Sequence, residues 1–154
     1  MHQLKYEDFL QEDVPEGWKS ACISIHSHWL SAEEASNHWM SFVTIKGKND
    51  PNRENYLRSE NNFIRFFKIL DADFGLSVLK QNINNSASSS VSVLSEESVT
   101  KNVREERFDA FTSEKLNCVI LGNFDLTFPI FIPSGKGWDE IEEVAHKCSL
   151  YVLK

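Results

Sequence analysis

Apolar and polar residues alternate from Ser20 to Trp29. Ala21, Ile23, Ile25 and Ser27 point one way, and Cys22, Ser24, His26 and His28 the other. A period of two predicts a half-buried strand. Before it, Leu4, Phe9 and Leu10 predict a short helix over Lys5–Gln11, ended by Val14-Pro15-Glu16-Gly17. After it, Ser31-Ala32-Glu33-Glu34 has the spacing of a capping box and predicts a helical turn running toward Met40. A strand over Trp39–Ile45 is expected next, from the alternation of Trp39, Ser41, Val43 and Ile45 with Met40, Phe42 and Thr44.

A polar loop at Gly47–Asn52 leads into a longer helical pattern. Tyr56, Leu57, Phe63, Ile64, Phe67 and Leu70 recur at spacings of three and four, which predicts helix over Arg53–Leu70, continuous or broken near Ser59. Asp71-Ala72-Asp73-Phe74-Gly75 reads as a turn and Leu76–Lys80 as a short element. The Asn- and Ser-rich stretch Gln81–Ser98 reads as a long loop, with a weak edge strand at Ser90–Leu94.

The last third has the strongest pattern. Asn117–Leu121 and Phe124–Ile132 are apolar segments joined by Gly122-Asn123, which predicts a tight hairpin. Pro129 has no N–H for a ladder, so the second segment is expected to be an edge strand, a bulged strand or two short ones. A helix over Trp138–Lys147 carries an apolar stripe of Trp138, Ile141, Val144, Ala145 and Cys148, and a last strand is expected at Leu150–Leu153. The order lacks a βαβ rhythm. It predicts one α+β domain over residues 1–154, with a mainly antiparallel sheet of about five strands and helices packed against it. The expected core is Ile23, Ile25, Val43, Phe63, Phe67, Val119, Leu121, Leu126, Phe128, Ile130, Ile141 and Val144.

Composition fits that outline: 154 residues, 41 % hydrophobic, with 11 Phe and 4 Trp, enough to form one core. Charge narrows the partners. A net charge of −7 disfavours nucleic acid, whose phosphates call for Lys and Arg, and disfavours anionic membranes. It favours a basic protein, whose approach it would accelerate. No apolar run reaches the ~20 residues of a membrane span. The N-terminus does not read as a signal peptide, and Cys22, Cys118 and Cys148 are widely spaced, so a cytoplasmic setting with free thiols is expected.

Candidate chemistry is sparse. His26 and His28 would share a face of a strand and could converge on a metal ion or act in acid–base chemistry, with His38 or a carboxylate completing the set. Ser134-Gly135-Lys136-Gly137 lacks the spacing of a phosphate loop, and Asp139 and Glu140 would repel an anion there. Asp73-Phe74-Gly75 stands without the remaining kinase motifs, and there is no G-x-S-x-G elbow. No motif calls for a cofactor.

The acidic clusters remain. Glu12 and Asp13, in the group from Glu7 to Glu16, and Asp139, Glu140, Glu142 and Glu143 on the last helix are candidate partner-binding residues, with Trp18, Trp29 or Tyr56 as aromatic anchors. These features point to a non-enzymatic binding protein that neutralises a basic partner, such as an immunity protein that inhibits a nuclease-type bacterial toxin. The alternative is a small enzyme or a ligand- or metal-binding domain using His26 and His28. A third reading is a subunit that covers its aromatic surface by self-association.

Overall fold

The computed structural model describes residues 14–37, 41–45, 49–80, 90–133 and 137–154. In chain order the elements are β1 (Trp18–Ser24), α1 (Ala32–Asn37), α2 (Arg53–Phe74), β2 (Ser77–Lys80), β3 (Ser90–Val93), α3 (Glu96–Val103), β4 (Ala110–Ser113), β5 (Cys118–Leu121), β6 (Thr127–Pro133), α4 (Trp138–Lys147) and β7 (Tyr151–Leu153). The strands form one antiparallel sheet in the order β3-β2-β4-β5-β6-β1-β7. The class is α+β as expected, with seven strands among the described residues rather than about five. Three strands are additional to those expected: β4, which the pattern did not single out, β3, which counted only as a weak edge, and β2, which read only as a short element; the strand expected at Trp39–Ile45 is not formed over Ser41–Ile45.

Alternation sets the two faces of the sheet. Ile23, Val78, Phe111, Ile120, Phe128, Ile130 and Ile132 are fully buried on the helix side. There they meet Phe63, Phe66, Phe67 and Leu70 of α2 and Ile141, Val144 and Ala145 of α4. The centre of the core is aromatic: Phe67 lies 4.5 Å from Phe111 and 5.4 Å from Phe128, and Phe63 lies 4.9 Å from Phe128, ring centre to ring centre. Each such side chain contributes about 1.5–3 kcal/mol through burial. On the opposite face Ala110, Leu121 and Phe131 form a smaller cluster with Trp18, Leu79 and Val119.

Several boundaries differ from the pattern, each for a local reason. Helix α2 is continuous and runs four residues past Leu70, because Asp71-Ala72-Asp73 contains no breaker. It stops only at Gly75, whose φ of 71° suits glycine and whose N–H reaches Asp71 O at 2.9 Å. Ser41–Ile45 is a turn and not a strand. Thr44 donates both its N–H, at 3.2 Å, and its hydroxyl, at 2.9 Å, to Ser41 O, which leaves Val43 68 % exposed rather than in the core. Positions 39 and 40 lie outside the described residues, as do the N-terminal helix expected over Lys5–Gln11 and the first half of the loop expected over Gln81–Ser98. The end of that loop is ordered: β3 occupies Ser90–Val93. Ser95 then caps α3 through a reciprocal pair of hydrogen bonds with Ser98 at 3.1 and 3.2 Å.

Pro129 sits in β6, an interior strand between β5 and β1. The β5 ladder ends at Ile120↔Ile130, next to the residue that cannot donate, while the β1 ladder runs on through Cys22↔Pro129 to Ser24↔Thr127. The connection before β6 is longer than a tight hairpin, from Gly122 to Leu126, and Asp125 and Leu126 are both left-handed, with φ of 60° and 52°. Gly122 serves a close approach instead: a Cβ there would lie 2.4 Å from Asn102 Oδ1.

That Asn102 belongs to a buried polar brace between α3 and β4. Asp109 donates its N–H to Asn102 Oδ1 at 2.7 Å. Asp109 Oδ2 accepts from Asn102 Nδ2 at 2.8 Å and Arg107 Nε at 2.7 Å, and Asp109 Oδ1 is buried without a partner. A second brace joins α2 to the end of α3. Glu60, 5 % exposed, accepts two hydrogen bonds from Arg104 at 2.7 and 2.9 Å, and the guanidinium stacks 4.2 Å from the centre of the Phe42 ring.

Candidate functional site

Strand β1 ends earlier than its alternation suggests. Ser24, the last residue paired to both β6 and β7, accepts the His26 N–H on its hydroxyl at 3.0 Å and turns the chain into a bend over residues 25–28. His26 and His28 therefore do not share a strand face. They still line one cleft, brought there by the bend rather than by a period of two.

The cleft has a volume of about 160 Å³. Its apolar wall includes Ile25, Leu30, Leu126 and Leu153, with the Trp29 indole at its side and Asp125 and Thr127 contributing polar groups. Trp29 is 58 % exposed and donates its Nε1–H to the carbonyl of Lys154 at 3.3 Å, which holds the ring at the chain's last strand. His28 is already engaged: its Nε2 lies 3.0 Å from Glu34 Oε1. Glu34 in turn completes the expected capping box, accepting the Ser31 N–H at 2.8 Å while its own N–H donates to the Ser31 hydroxyl at 3.2 Å. The Ser31 backbone N–H and His28 hold the Glu34 carboxyl down at about 2.

Asp125 differs from the other acids of this region. Partial burial raises its carboxyl from its ordinary value, and its side chain enters no ion pair among the described residues. Its backbone is fixed. The Asp125 N–H donates to Glu105 Oε1 at 2.9 Å, Thr127 donates its hydroxyl to Phe124 O at 2.8 Å, and the Phe124 ring lies 4.7 Å from that of Phe108.

On the other side of the same bend is a broader groove of about 600 Å³, lined by Ser27, Glu142, Glu143, His146, Lys147, Tyr151 and Val152. It contains two of the four acids proposed on α4. Sequence alone could not place them beside His26 and His28, since α4 and the bend are more than a hundred residues apart; β7, which pairs with β1, brings them together.

The acidic face of α4 is weaker than its composition suggests. Glu143 pairs with Lys147 at 2.7 Å and Glu142 pairs with Lys154. Lys147 pulls the Glu143 carboxyl below its ordinary value. Asp139 and Glu140 are exposed in the first turn, where they complement the helix dipole. Glu12 and Asp13 lie outside the described residues. Of the proposed anchors, Trp29 is exposed and Trp18 is half-buried, but Tyr56 is 1 % exposed and donates its hydroxyl to Val103 O at 3.2 Å. Tyr56 is a core residue and not an anchor. Its place on the helical stripe with Phe63 and Phe67 was the signal.

Among the described residues no three or more His, Cys, Asp or Glu side chains gather as a metal ion would require, and no helix is long and apolar enough to cross a membrane. Cys118 and Cys148 are buried, and burial pushes the Cys118 thiol up to about 12 and raises those of Cys148 and Cys22. Comparison with protein-family models, curated proteins and solved structures finds no match.

Proposed function

We propose that this chain is a non-enzymatic binding protein that neutralises a basic protein partner, in the manner of an immunity protein that inhibits a nuclease-type toxin. One observation carries the reading. The cleft and the groove flank a single bend, and together they present carboxylates at Asp125, Glu142 and Glu143 beside the exposed aromatics Trp29 and Tyr151. Interface hot spots combine these features: an aromatic that buries well and a charge that steers the encounter.

The lysines paired to Glu142 and Glu143 do not exclude this use. Both pairs are solvent-exposed, with side-chain exposures between 40 % and 66 %. Such pairs contribute about 0–1 kcal/mol. A partner's Arg or Lys can displace them at little expense. The proposed partner surface is therefore the bend 25–28 with its two flanks, rather than the whole acidic face of α4.

The test is a capture experiment from the native cell's lysate, using wild type, Trp29→Ala and Glu142→Lys as baits under low-salt and high-salt washes. A single stoichiometric basic protein, released by salt and lost with both variants, is the expected result. Toxicity of that protein alone, relieved by co-expression of this chain, would establish the immunity role. Capture that ignores both substitutions and salt would defeat the proposal.

A second reading, a small enzyme or ligand-binding domain using His26 and His28, draws support from their sharing one cleft. Under it, His26→Ala and His28→Ala would abolish the binding of a small ligand while leaving protein capture intact.

A further inference from the structure

We propose that the 160 Å³ cleft is a socket for one alkyl-cation side chain, a lysine or arginine of the partner, with Asp125 as its counter-ion and Trp29 as the plate over its stem. The inference rests on the binding-protein reading above and names the point at which the partner is anchored.

Size is the first argument. A cavity of roughly 150 Å³ accepts a benzene molecule, so a cleft of 160 Å³ holds one side chain and not a peptide segment or a nucleotide. Its lining is the second. Ile25, Leu30, Leu126 and Leu153 offer an apolar wall of the kind along which a Lys or Arg stem buries its methylenes. The Trp29 indole, 58 % exposed, offers a ring face to a cation.

Charge is the third argument. Four ionisable side chains bear on the cleft. His26 and His28 line it, and Glu34 stands behind His28 and is occupied by it and by Ser31. Asp125 is the carboxylate of the lining that enters no ion pair among the described residues. The nearby Lys154 ammonium is taken by Glu142 and by the Trp138 ring, 5.5 Å away. A cation entering the cleft thus meets a carboxylate that has no ion-pair partner among the described residues.

The loop geometry is the fourth. Two consecutive non-glycine residues, Asp125 and Leu126, hold positive φ, a conformation that costs about 1–2 kcal/mol per residue. Such strain persists only where the surroundings over-determine it, and it gathers at binding sites. Here the Glu105, Thr127 and Phe108 contacts hold the loop, and Leu126 is 2 % exposed. The backbone that carries the carboxylate is set before the partner arrives, which lowers the ordering penalty on binding.

The experiment needs no partner. The full chain, labelled with ¹⁵N, is titrated at pH 7 with n-butylammonium and, separately, with n-butanol as its neutral counterpart. The Trp29 Nε1–H and the amides of residues 125–127 are followed. Butylammonium is expected to shift these resonances saturably and to bind roughly tenfold tighter than butanol, as a charge-assisted contact implies. Asp125→Asn should abolish that preference. Asn tolerates positive φ, so the variant keeps the loop, and unchanged shifts elsewhere would verify its fold. Equal binding of the two probes, no shifts at the cleft, or a preference that survives Asp125→Asn would each overturn the proposal. The outcomes separate from those of the capture experiment. A captured basic partner with no butylammonium site leaves the binding-protein reading standing and moves the anchor to the groove at Glu142 and Tyr151. A butylammonium site with no basic partner removes the larger reading alone.

Discussion

Replacing Gly122 with Ala should be among the most damaging single-methyl changes in this chain. The added Cβ would lie 2.4 Å from Asn102 Oδ1, 3.1 Å from Phe108 Cα and 3.3 Å from Asp109 N. Two of these atoms are backbone, and the third belongs to a fully buried side chain whose oxygen accepts the Asp109 N–H at 2.7 Å. Relief of the clash requires Asn102 to withdraw, which strands that N–H. Overpacking of this kind costs about 1–3 kcal/mol. A buried donor left without a partner costs about 1–3 kcal/mol more. The sum, about 2–6 kcal/mol, is a large part of the ~5–15 kcal/mol that holds a domain together. At ~2–4 °C per kcal/mol for a chain of this size, Tm should fall by roughly 4 °C at the least and beyond 15 °C at the most. Urea and thermal unfolding followed by tryptophan fluorescence and far-UV circular dichroism would measure it. In an Asn102→Ala background the 2.4 Å clash partner is gone, so the further effect of Gly122→Ala should shrink by more than 1 kcal/mol, a non-additivity of the size found between contacting residues. A Tm within about 2 °C of wild type, or strict additivity with Asn102→Ala, would refute the close-approach account and return Gly122 to an ordinary turn glycine.

Three further outcomes are expected. Arg104→Ala leaves Glu60 buried with neither hydrogen-bond partner and should lower stability by about 2–4 kcal/mol, toward the lower end of the range for a broken buried pair because the arginine is partly exposed; a loss below about 0.5 kcal/mol would place the pair among ordinary surface contacts. A thiol reagent at pH 8 should leave Cys118 and Cys148 unmodified in the native protein and modify Cys22 slowly, since burial raises all three thiols; three rapid equivalents would contradict the packing. Glu34 should titrate near 2 by NMR. Because its folded value lies below its ordinary one, its stabilising contacts are complete above the ordinary carboxylate range and are lost as pH falls toward 2; His28→Ala should raise the midpoint, and an unchanged midpoint would exclude His28 as a cause.

Most of the fold was legible because burial imposes periods. The helix containing Phe63 and Phe67 and the helix containing Ile141 and Val144 repeat at three and four, while β1, β5 and β6 repeat at two. What stayed hidden lacked a long period. Strand β4 is Ala-Phe-Thr-Ser, too short for alternation to register, and α3 begins within a serine-rich stretch whose capping pair, Ser95 and Ser98, resembles loop composition. Glu60 lies on the apolar stripe of α2, but nothing local announces that Arg104, forty-four residues later, neutralises it. Pro129 was misleading for a related reason: its missing N–H disqualifies it from a ladder on one side only, and the sheet uses the other side.

The site divides along the same line. The residues were visible singly: the histidine pair by its spacing, the acids by their number, Trp29 as a potential anchor. Their arrangement depends on three non-local facts: β1 stops at Ser24, β7 pairs beside it, and the loop before β6 takes a left-handed path at Asp125. Number proved a poor guide to electrostatic use. The α4 acids Glu142 and Glu143 are offset by Lys154 and Lys147, while Asp125, solitary in sequence and absent from every cluster, enters no ion pair among the described residues. If a charge anchors a basic partner here, Asp125, whose backbone is fixed and whose carboxylate is unpaired among the described residues, is the better candidate than the acids that are merely numerous. Binding that falls further with Asp125→Asn than with Glu143→Gln would bear that out, and the reverse order would return the interface to the face of α4.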